Sequence, residues 1–469
     1  MLPVSEDSVR DTIVAIATPA GRGGIGVIRV SGTAACALAA TLVRGSSSLF
    51  VHQRARFCYL VDPETEQKLD EAVVTYFEAP HSYTGEDIVE IAAHGSPVLL
   101  DHILLRLMQA GARLAEPGEF TERAFLSGRL DLMQAEAVRD LVDAQTLLQA
   151  QVAAQQLGGS LSRRVAPLKQ ELIALIASLE AGIDFAEDDT PVLASSVIAT
   201  TLVAITEPLL QLERSFEQGR LLTHGATLAI VGRPNAGKSS LFNRLLARER
   251  AIVTAEAGTT RDTVHEHISL GGFPIELVDT AGLRHATSEA ERLGIEKSRE
   301  AFADATLVML VLSSVDPVES EDLALLRAAR DRRLLVVLNK WDLLQGDRAK
   351  EAAALTEVQA HAPWAEVLAA SALTGEGIEP LRDRMQAMLI GHSAVTSESP
   401  LLTNRRQHAA VKQAHTALES AHTANAAGTP HEVFLLDLYS ALQSLDTLTG
   451  ATTPDTVLHL IFSTFCIGK

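Results

Sequence analysis

Gly232-Arg-Pro-Asn-Ala-Gly237-Lys238-Ser239 is the stretch from which the fold of this chain is read. It fits G-x-x-x-x-G-K-[ST], follows the apolar run Thr227-Leu-Ala-Ile-Val231 and precedes the helix-like stretch Ser240-Leu-Phe-Asn-Arg-Leu-Leu246. Strand, loop and helix in that order are the context in which this pattern wraps phosphates with successive backbone N–H groups. Asn235, Ala236, Gly237, Lys238, Ser239 and Ser240 are then the phosphate-facing residues. Lys238 can reach the β and γ phosphates, and the Ser239 hydroxyl can ligate Mg²⁺.

Three further stretches, each just after an apolar run, point to guanine. Asp279-Thr280-Ala281-Gly282 follows Ile275-Glu-Leu-Val278. Asp279 can hold Mg²⁺ through water, and the Gly282 amide can meet the γ phosphate. Asn339-Lys340-Trp341-Asp342 follows Leu334-Leu-Val-Val-Leu338. Its Asp342 carboxylate can accept from both N1–H and the 2-amino group of guanine, a donor pair that adenine lacks; Lys340 can lie along the base plane. Ser371-Ala372-Leu373 follows Glu366-Val-Leu-Ala-Ala370 and can offer a backbone N–H to guanine O6. Each tetrapeptide is weak alone. The set in this order predicts a Ras-like P-loop GTPase domain.

The catalytic apparatus departs from the Ras pattern. A glutamine just after Asp-x-x-Gly orients the attacking water there, and here Leu283 holds that place. Arg233 lies in the phosphate loop without being an obvious finger. Asn235, with the run Thr254, Ala255, Glu256, Ala257, Gly258, Thr259 and Thr260, suggests a monovalent cation where a guanidinium would otherwise sit. An asparagine oxygen and several loop carbonyls suit K⁺; the plainer reading is that Asn235 shapes the turn. Thr260 is the natural second Mg²⁺ ligand after Ser239. Glu289 and Glu291 follow, and either could position water or belong to a solvated helix face.

Composition sets the bounds. A chain of 469 residues is too long for one core and predicts two to four domains. Lys and Arg number 40 against 59 Asp and Glu, so 40 − 59 = −19, which argues against a large nonspecific nucleic-acid surface. No apolar run approaches the ~20 residues of a bilayer span, and Met1-Leu-Pro-Val-Ser-Glu-Asp7 has neither the basic nor the apolar region of a secretory signal. Cys36, Cys58 and Cys466 lack metal spacing and cannot form an even disulfide framework. A reducing cytoplasm, with no membrane contact, is the expectation.

Along the chain, residues 1–127 read as mixed α/β. Strands are expected at Thr12–Ala17, Ile25–Val30, Ala72–Phe77 and Ile88–Ala93, and a helix at Pro97–Ala110 with Leu99, Leu100, Ile103, Leu104 and Leu107 on one stripe. Residues 128–222 are helical in pattern, with breaks at Gly158-Gly159 and near Pro191. The nucleotide domain runs over 223–388, and 389–469 opens with a Gly/Ser/Pro-bearing linker before helical pattern resumes. The expectation is a multidomain chain: an N-terminal α+β domain and one helical domain interrupted by an inserted Ras-like α/β domain.

Several stretches outside the nucleotide set carry a resemblance. They are Thr18-Pro-Ala-Gly-Arg-Gly-Gly-Ile-Gly26, Ser82-Tyr-Thr-Gly-Glu-Asp87, Pro117-Gly-Glu-Phe-Thr-Glu-Arg-Ala-Phe-Leu126, Leu130-Asp-Leu-Met-Gln-Ala-Glu136 and the end, Phe465-Cys-Ile-Gly-Lys469. The chain resembles the MnmE (TrmE) family of bacterial tRNA-modification GTPases over nearly its whole length. The resemblance implies an N-terminal domain that binds 5-formyl- or 5,10-methylene-tetrahydrofolate and makes a homodimer. It implies an FAD-binding MnmG-like partner in a heterotetramer, a tRNA substrate, and aminomethyl or carboxymethylaminomethyl addition at C5 of the wobble uridine, position 34. It implies K⁺ ligation by the Asn235 side chain with carbonyls of Thr254, Glu256 and Thr259, Mg²⁺ at Ser239 and Thr260, and Glu291 as the water-orienting carboxylate. Folate contacts carry over to Arg29, Glu86, Arg129 and Lys469, and Cys466 becomes a candidate catalytic thiol.

The chain departs from the family pattern at Arg129, where Lys is expected, and at Thr464, where Arg usually precedes Phe-Cys-Ile-Gly-Lys. An arginine and a lysine differ in reach and fork geometry. The alternative of another class is an RNA-binding ribosome-assembly GTPase that switches without modifying RNA. Gly21-Arg-Gly-Gly24 fits the G-x-x-G of a KH domain, but a KH loop joins two helices and this one lies between two β-like runs.

Overall fold

Leu307–Ser313 and Leu334–Asn339 are apolar up to their last residue, and every residue of both is buried. Such runs suit the centre of a parallel sheet covered on both faces. The computed structural model places them there. It describes residues 11–44, 50–184, 193–249, 264–279, 305–344, 346–391 and 401–468. The six strands of this sheet are β8 (Ala226–Val231), β9 (Val264–Leu270), β10 (Phe273–Asp279), β11 (Leu307–Ser313), β12 (Leu334–Asn339) and β13 (Glu366–Ala369), in the order β13-β12-β11-β8-β10-β9. All neighbours pair parallel except β9, antiparallel to β10 at the edge. Successive side chains of β8 and β11 enter different cores: Leu228, Ile230, Leu307, Met309 and Val311 one, Ala229, Val231, Val308, Leu310 and Leu312 the other. A charged residue at any of these positions would meet a packed layer on either face.

The other sheet joins β1 (Ile13–Ile16), β2 (Gly23–Ser31), β3 (Val43–Arg44), β4 (Ala55–Val61), β5 (Lys68–Phe77), β6 (Ile88–Gly95) and β7 (Arg113–Leu114), in the order β3-β4-β5-β6-β2-β1-β7. It is antiparallel except for the β1–β7 pair. Helices Ala35–Leu42 and Pro97–Gln109 supply Ala35, Leu38, Leu42, Leu100, Ile103 and Leu107 to a core shared with Val14, Ile28, Val30, Leu60, Val74 and Ile91. Pro97 begins the second helix, where its missing N–H is no loss. The G-x-x-G stretch at 21–24 falls between β1 and β2 and leads into β2, so it does not join two helices.

Helices Leu132–Val142, Leu147–Leu157, Ser160–Asp184, Ser195–His224, Arg405–Ala426, His431–Thr449 and Asp455–Phe462 make the helical part. In Ser160–Asp184 the buried residues Leu161, Val165, Leu168, Leu172, Leu175 and Leu179 recur every three or four positions. Ser195–His224 is the one helix among the described residues long and apolar enough by composition to cross a bilayer. Its buried Ile198, Leu202, Ile205, Leu209, Leu212 and Phe216 follow the same spacing, the seam of a bundle helix.

The chain divides into two compact units. One holds Met1–Arg139, Gln156–Thr206 and Ala410–Lys469, the other Asp140–Gln155 and Glu207–Ala409. The fold is therefore multidomain, α/β with an all-α part.

Candidate functional site

In the unit around the six-stranded sheet, the phosphate loop leaves the carboxyl end of β8 and enters helix Lys238–Glu249. β8 lies between β11 and β10, so the loop opens at a switch point of the sheet, where α/β folds bind ligands. Gly232 has φ +143, and a Cβ there would sit 2.2 Å from the Val311 carbonyl oxygen. A Cβ at Gly237 would stand 2.2 Å from Asn339 Nδ2. A side chain at Gly232 would have to move backbone, and one at Gly237, which has φ +91, would displace the Asn339 side chain. Asn235 takes a left-handed φ of +61. Lys238 is buried, and its Nζ donates to the carbonyls of Gly232 at 2.8 Å and Arg233 at 2.7 Å. Pro234, Asn235, Gly237, Lys238, Ser239, Ser240 and Lys340 line a cavity of about 500 Å³.

The base-reading residues gather beside this cavity from three places in the chain. Asn339, at the end of β12, donates through Nδ2 to the Ala236 carbonyl at 2.9 Å and accepts from the Ala372 N–H at 3.0 Å. One asparagine thus ties the phosphate loop to the loop after β13. Asp342 stands on the short 3₁₀ turn Trp341–Leu344 and accepts from the Ser371 hydroxyl at 2.5 Å. The Ser371 Oγ also accepts from the Thr374 N–H at 3.0 Å, which fixes its direction. Lys340 has φ +64 and lines the cavity. Arg244 donates to the Leu373 carbonyl at 2.8 Å. Asp279 ends β10, in register with Ile230 of β8. Thr254, Ala255, Glu256, Ala257, Gly258, Thr259, Thr260, Thr280, Ala281, Gly282, Leu283, Glu289 and Glu291 lie outside the described residues.

The donor set fits the groups expected here as far as it is described. Asn235 and Ser239, whose side chains carry oxygens, line one cavity together with Lys238. Arg233 is committed elsewhere: its guanidinium pairs with Glu319 at 2.5 Å and with Asp322 at 2.7 Å. Burial pushes the Asp322 carboxyl up, against the pull of Arg233.

The second group of residues belongs to the unit that holds the antiparallel sheet. Glu86 accepts from Ser31 Oγ at 2.8 Å and from Arg123 Nη1 at 3.1 Å. Arg123, on helix Glu119–Leu126, also donates to Asp11 and Glu119 at 2.6 and 2.8 Å. Burial works against the charge of Arg123, but Glu86 foremost, with Glu119 and Asp11, holds its pKa above the ordinary value. Burial likewise raises Glu119, and Arg113, the Glu116 N–H and Arg123 together bring it below the ordinary carboxylate range. Arg29 pairs with Glu90 at 2.8 Å and lies 5.6 Å from the ring centres of both Tyr83 and Phe120. Arg129 passes beside Gly85, where a Cβ would lie 3.7 Å from Arg129 Cγ.

The C-terminal tail reaches the same place. Phe462 and Phe465 are buried with Leu132, Ala135, Val138 and Leu458. The Gly118 N–H donates to the Cys466 carbonyl at 3.4 Å, and Arg29 Nη1 donates to the Gly468 carbonyl at 3.4 Å. Phe462 and Phe465 anchor the tail, while Cys466 and Ile467 stay exposed. Thr464 accepts from Arg139 at 3.1 Å, so the position that departs from the family pattern still meets a guanidinium from the partner helix Leu132–Val142. Burial pushes the thiols of Cys36 and Cys58 up to about 11, which leaves them poor nucleophiles. Lys469 lies outside the described residues.

Arg123 went unassigned in the sequence, although Glu119 and Arg123 stand four apart on one helix, a spacing that signals an ion pair. Its link to Asp11, 112 residues away, has no local signal.

The first site makes its unit a P-loop protein shaped for a guanine nucleotide. Comparison with known proteins narrows the class. Residues 132–466 match the family described as the MnmE helical domain, and residues 12–129 match the GTP-binding protein TrmE N-terminus. The tRNA modification GTPase MnmE of Koribacter versatilis (strain Ellin345) is 54% identical over 463 residues, covering 98% of this chain and 99% of that protein. The protein of the same name from Moorella thermoacetica (strain ATCC 39073 / JCM 9320) is 42% identical over 467 residues, with 98% and 99% covered. The chain belongs to the MnmE family of tRNA modification GTPases.

Proposed function

We propose that this chain is a K⁺-dependent GTP hydrolase that, as a homodimer and with an FAD-containing MnmG-like partner, modifies C5 of the wobble uridine of tRNA with a tetrahydrofolate one-carbon unit. The reading places it in the cytoplasm. In the hydrolytic half, Gly237 and its neighbours wrap the phosphates, Lys238 counters charge on the β and γ phosphates, and Asp342 selects guanine with a backbone N–H of the Ser371-Ala372-Leu373 loop. Asn235 and Ser239 are the residues that would hold K⁺ and Mg²⁺, with Thr254, Glu256, Thr259 and Thr260. When bound, these cations supply positive charge to the transferring phosphoryl group. Glu291 orients the attacking water.

The observation that carries the modification half is the return of the tail to the seven-stranded sheet. Arg29 holds the Gly468 carbonyl, and an exposed Cys466 stands two residues before it. Glu86, aimed by Ser31 and Arg123, suits the N3–H and 2-amino donors of a pterin. Arg129 and Lys469 suit the anionic glutamyl end. The domain organisation that goes with this reading is 1–127 for folate and dimer contacts, 223–388 for GTP, and 128–222 with 389–469 as the helical frame.

Titration with 5-formyltetrahydrofolate tests the folate part. Wild type is expected to bind. Glu86→Ala should lose about 10- to 100-fold, since a hydrogen bond to a charged group is worth about 1.5–3 kcal/mol. A chain truncated after Thr464 should also bind more weakly. Full binding by both variants would remove the folate reading and leave GTP hydrolysis standing.

A further inference from the structure

Arg233 sits at the second position of the phosphate loop, but its side chain turns away from the cavity. Its Nη1 meets Glu319 Oε1 at 2.5 Å, its Nε meets Asp322 Oδ2 at 2.7 Å, and its Nη2 donates to the Pro317 carbonyl at 3.1 Å. All three partners lie at the start of helix Ser320–Ala328 or just before it. Asp322 is 2% exposed, and its Oδ2 also accepts from the Glu319 N–H at 3.1 Å as part of a capping box. The space behind the guanidinium, about 20 Å³, has room for about one water and for no larger ligand. The cluster is a brace and not a binding pocket. On the loop side, the Arg233 carbonyl accepts from Lys238 Nζ at 2.7 Å.

We propose that Arg233 is a positioning residue for phosphate binding, with Asp322 and Glu319 acting through it. The planar fork of Arg233 pins the first half of the loop to the capped helix start. The pinned carbonyls of Gly232 and Arg233 then hold Lys238 where the phosphates enter. The loop meets the nucleotide in its bound shape, so less ordering is needed on binding. A lysine at 233 could pair with one carboxylate but could not bridge both and the Pro317 carbonyl.

The inference rests on guanine-nucleotide binding by this loop, which titrating wild type with GDP checks separately in the same series. Arg233→Ala and Asp322→Asn should each weaken GDP and GTP by about tenfold, the loss of one charge-assisted contact, while kcat at saturating GTP changes by less than about twofold. Arg233→Lys should retain part of the affinity. The double variant Arg233→Ala/Asp322→Asn should be no worse than either single, because both break one brace. Leu325→Ala, which loosens the same helix from within the core, is the control matched by melting temperature. Three results would overturn the proposal: a fall in kcat with GDP affinity unchanged, which would make Arg233 a finger; additive losses in the double variant; or an equal affinity loss in Leu325→Ala.

Discussion

Replacing Na⁺ by K⁺ at constant ionic strength is expected to raise GTP hydrolysis on the order of 10- to 100-fold, short of the ~10³–10⁵ that a guanidinium finger supplies. Leu283 holds the place of the water-orienting glutamine and cannot accept or donate. The one arginine of the phosphate loop, Arg233, is bound to Glu319, Asp322 and the Pro317 carbonyl, and so is not available to the phosphates. Positive charge at the transferring group must come from elsewhere, and electrostatic stabilisation of that charge is usually the largest single contribution to such a barrier. Asn235, in a left-handed conformation and lining the cavity, offers the one side-chain amide oxygen of the loop. Asn235→Ala should erase most of the K⁺ gain while GDP still binds. Equal rates in the two salts would exclude the cation mechanism.

Asp342→Asn should lower GTP affinity by roughly 10²- to 10⁴-fold and shift preference toward xanthine nucleotides. Two hydrogen bonds from guanine to one carboxylate are worth about 1.5–3 kcal/mol each, and about 1.4 kcal/mol is tenfold in affinity. The asparagine amide would donate where guanine also donates, and it matches the carbonyl that xanthine carries at that position. The Ser371 hydroxyl, 2.5 Å from Asp342 Oδ1, fixes the orientation of the carboxylate. Ser371→Ala should therefore cost much less than Asp342→Asn and leave the base preference intact. Unchanged GTP affinity in Asp342→Asn would show that guanine is not read here.

The nucleotide site is legible because each short motif follows a predominantly apolar strand. β8, β10, β12 and β13 each end at the motif expected of them. β11 is as apolar as its neighbours but carries no such motif. In the seven-stranded sheet and its helices the less legible elements have physical reasons. β4 places Phe57 and Tyr59 on the exposed face, 59% and 46% exposed, against buried Cys58 and Leu60, so its sequence shows no alternation of polar and apolar. Helix Ala35–Leu42 is short, with no side-chain cap and no charged residue in its end turns. Arg29, Glu86 and Arg129 were found through resemblance. The ion pairs that orient them, Glu90 for Arg29 and Arg123 for Glu86, join separate strands and helices, and local spacing does not encode such pairs. The brace on Arg233 is hidden for the same reason, since Asp322 follows it in sequence only after three intervening strands of the sheet, β9, β10 and β11.

Mass spectrometry of wobble uridine from a strain without this chain tests most directly whether the chain modifies tRNA. The account predicts that position 34 loses its aminomethyl or carboxymethylaminomethyl group at C5 and regains it when the wild-type chain is restored. Unchanged modification at that uridine in the strain lacking the chain would contradict it.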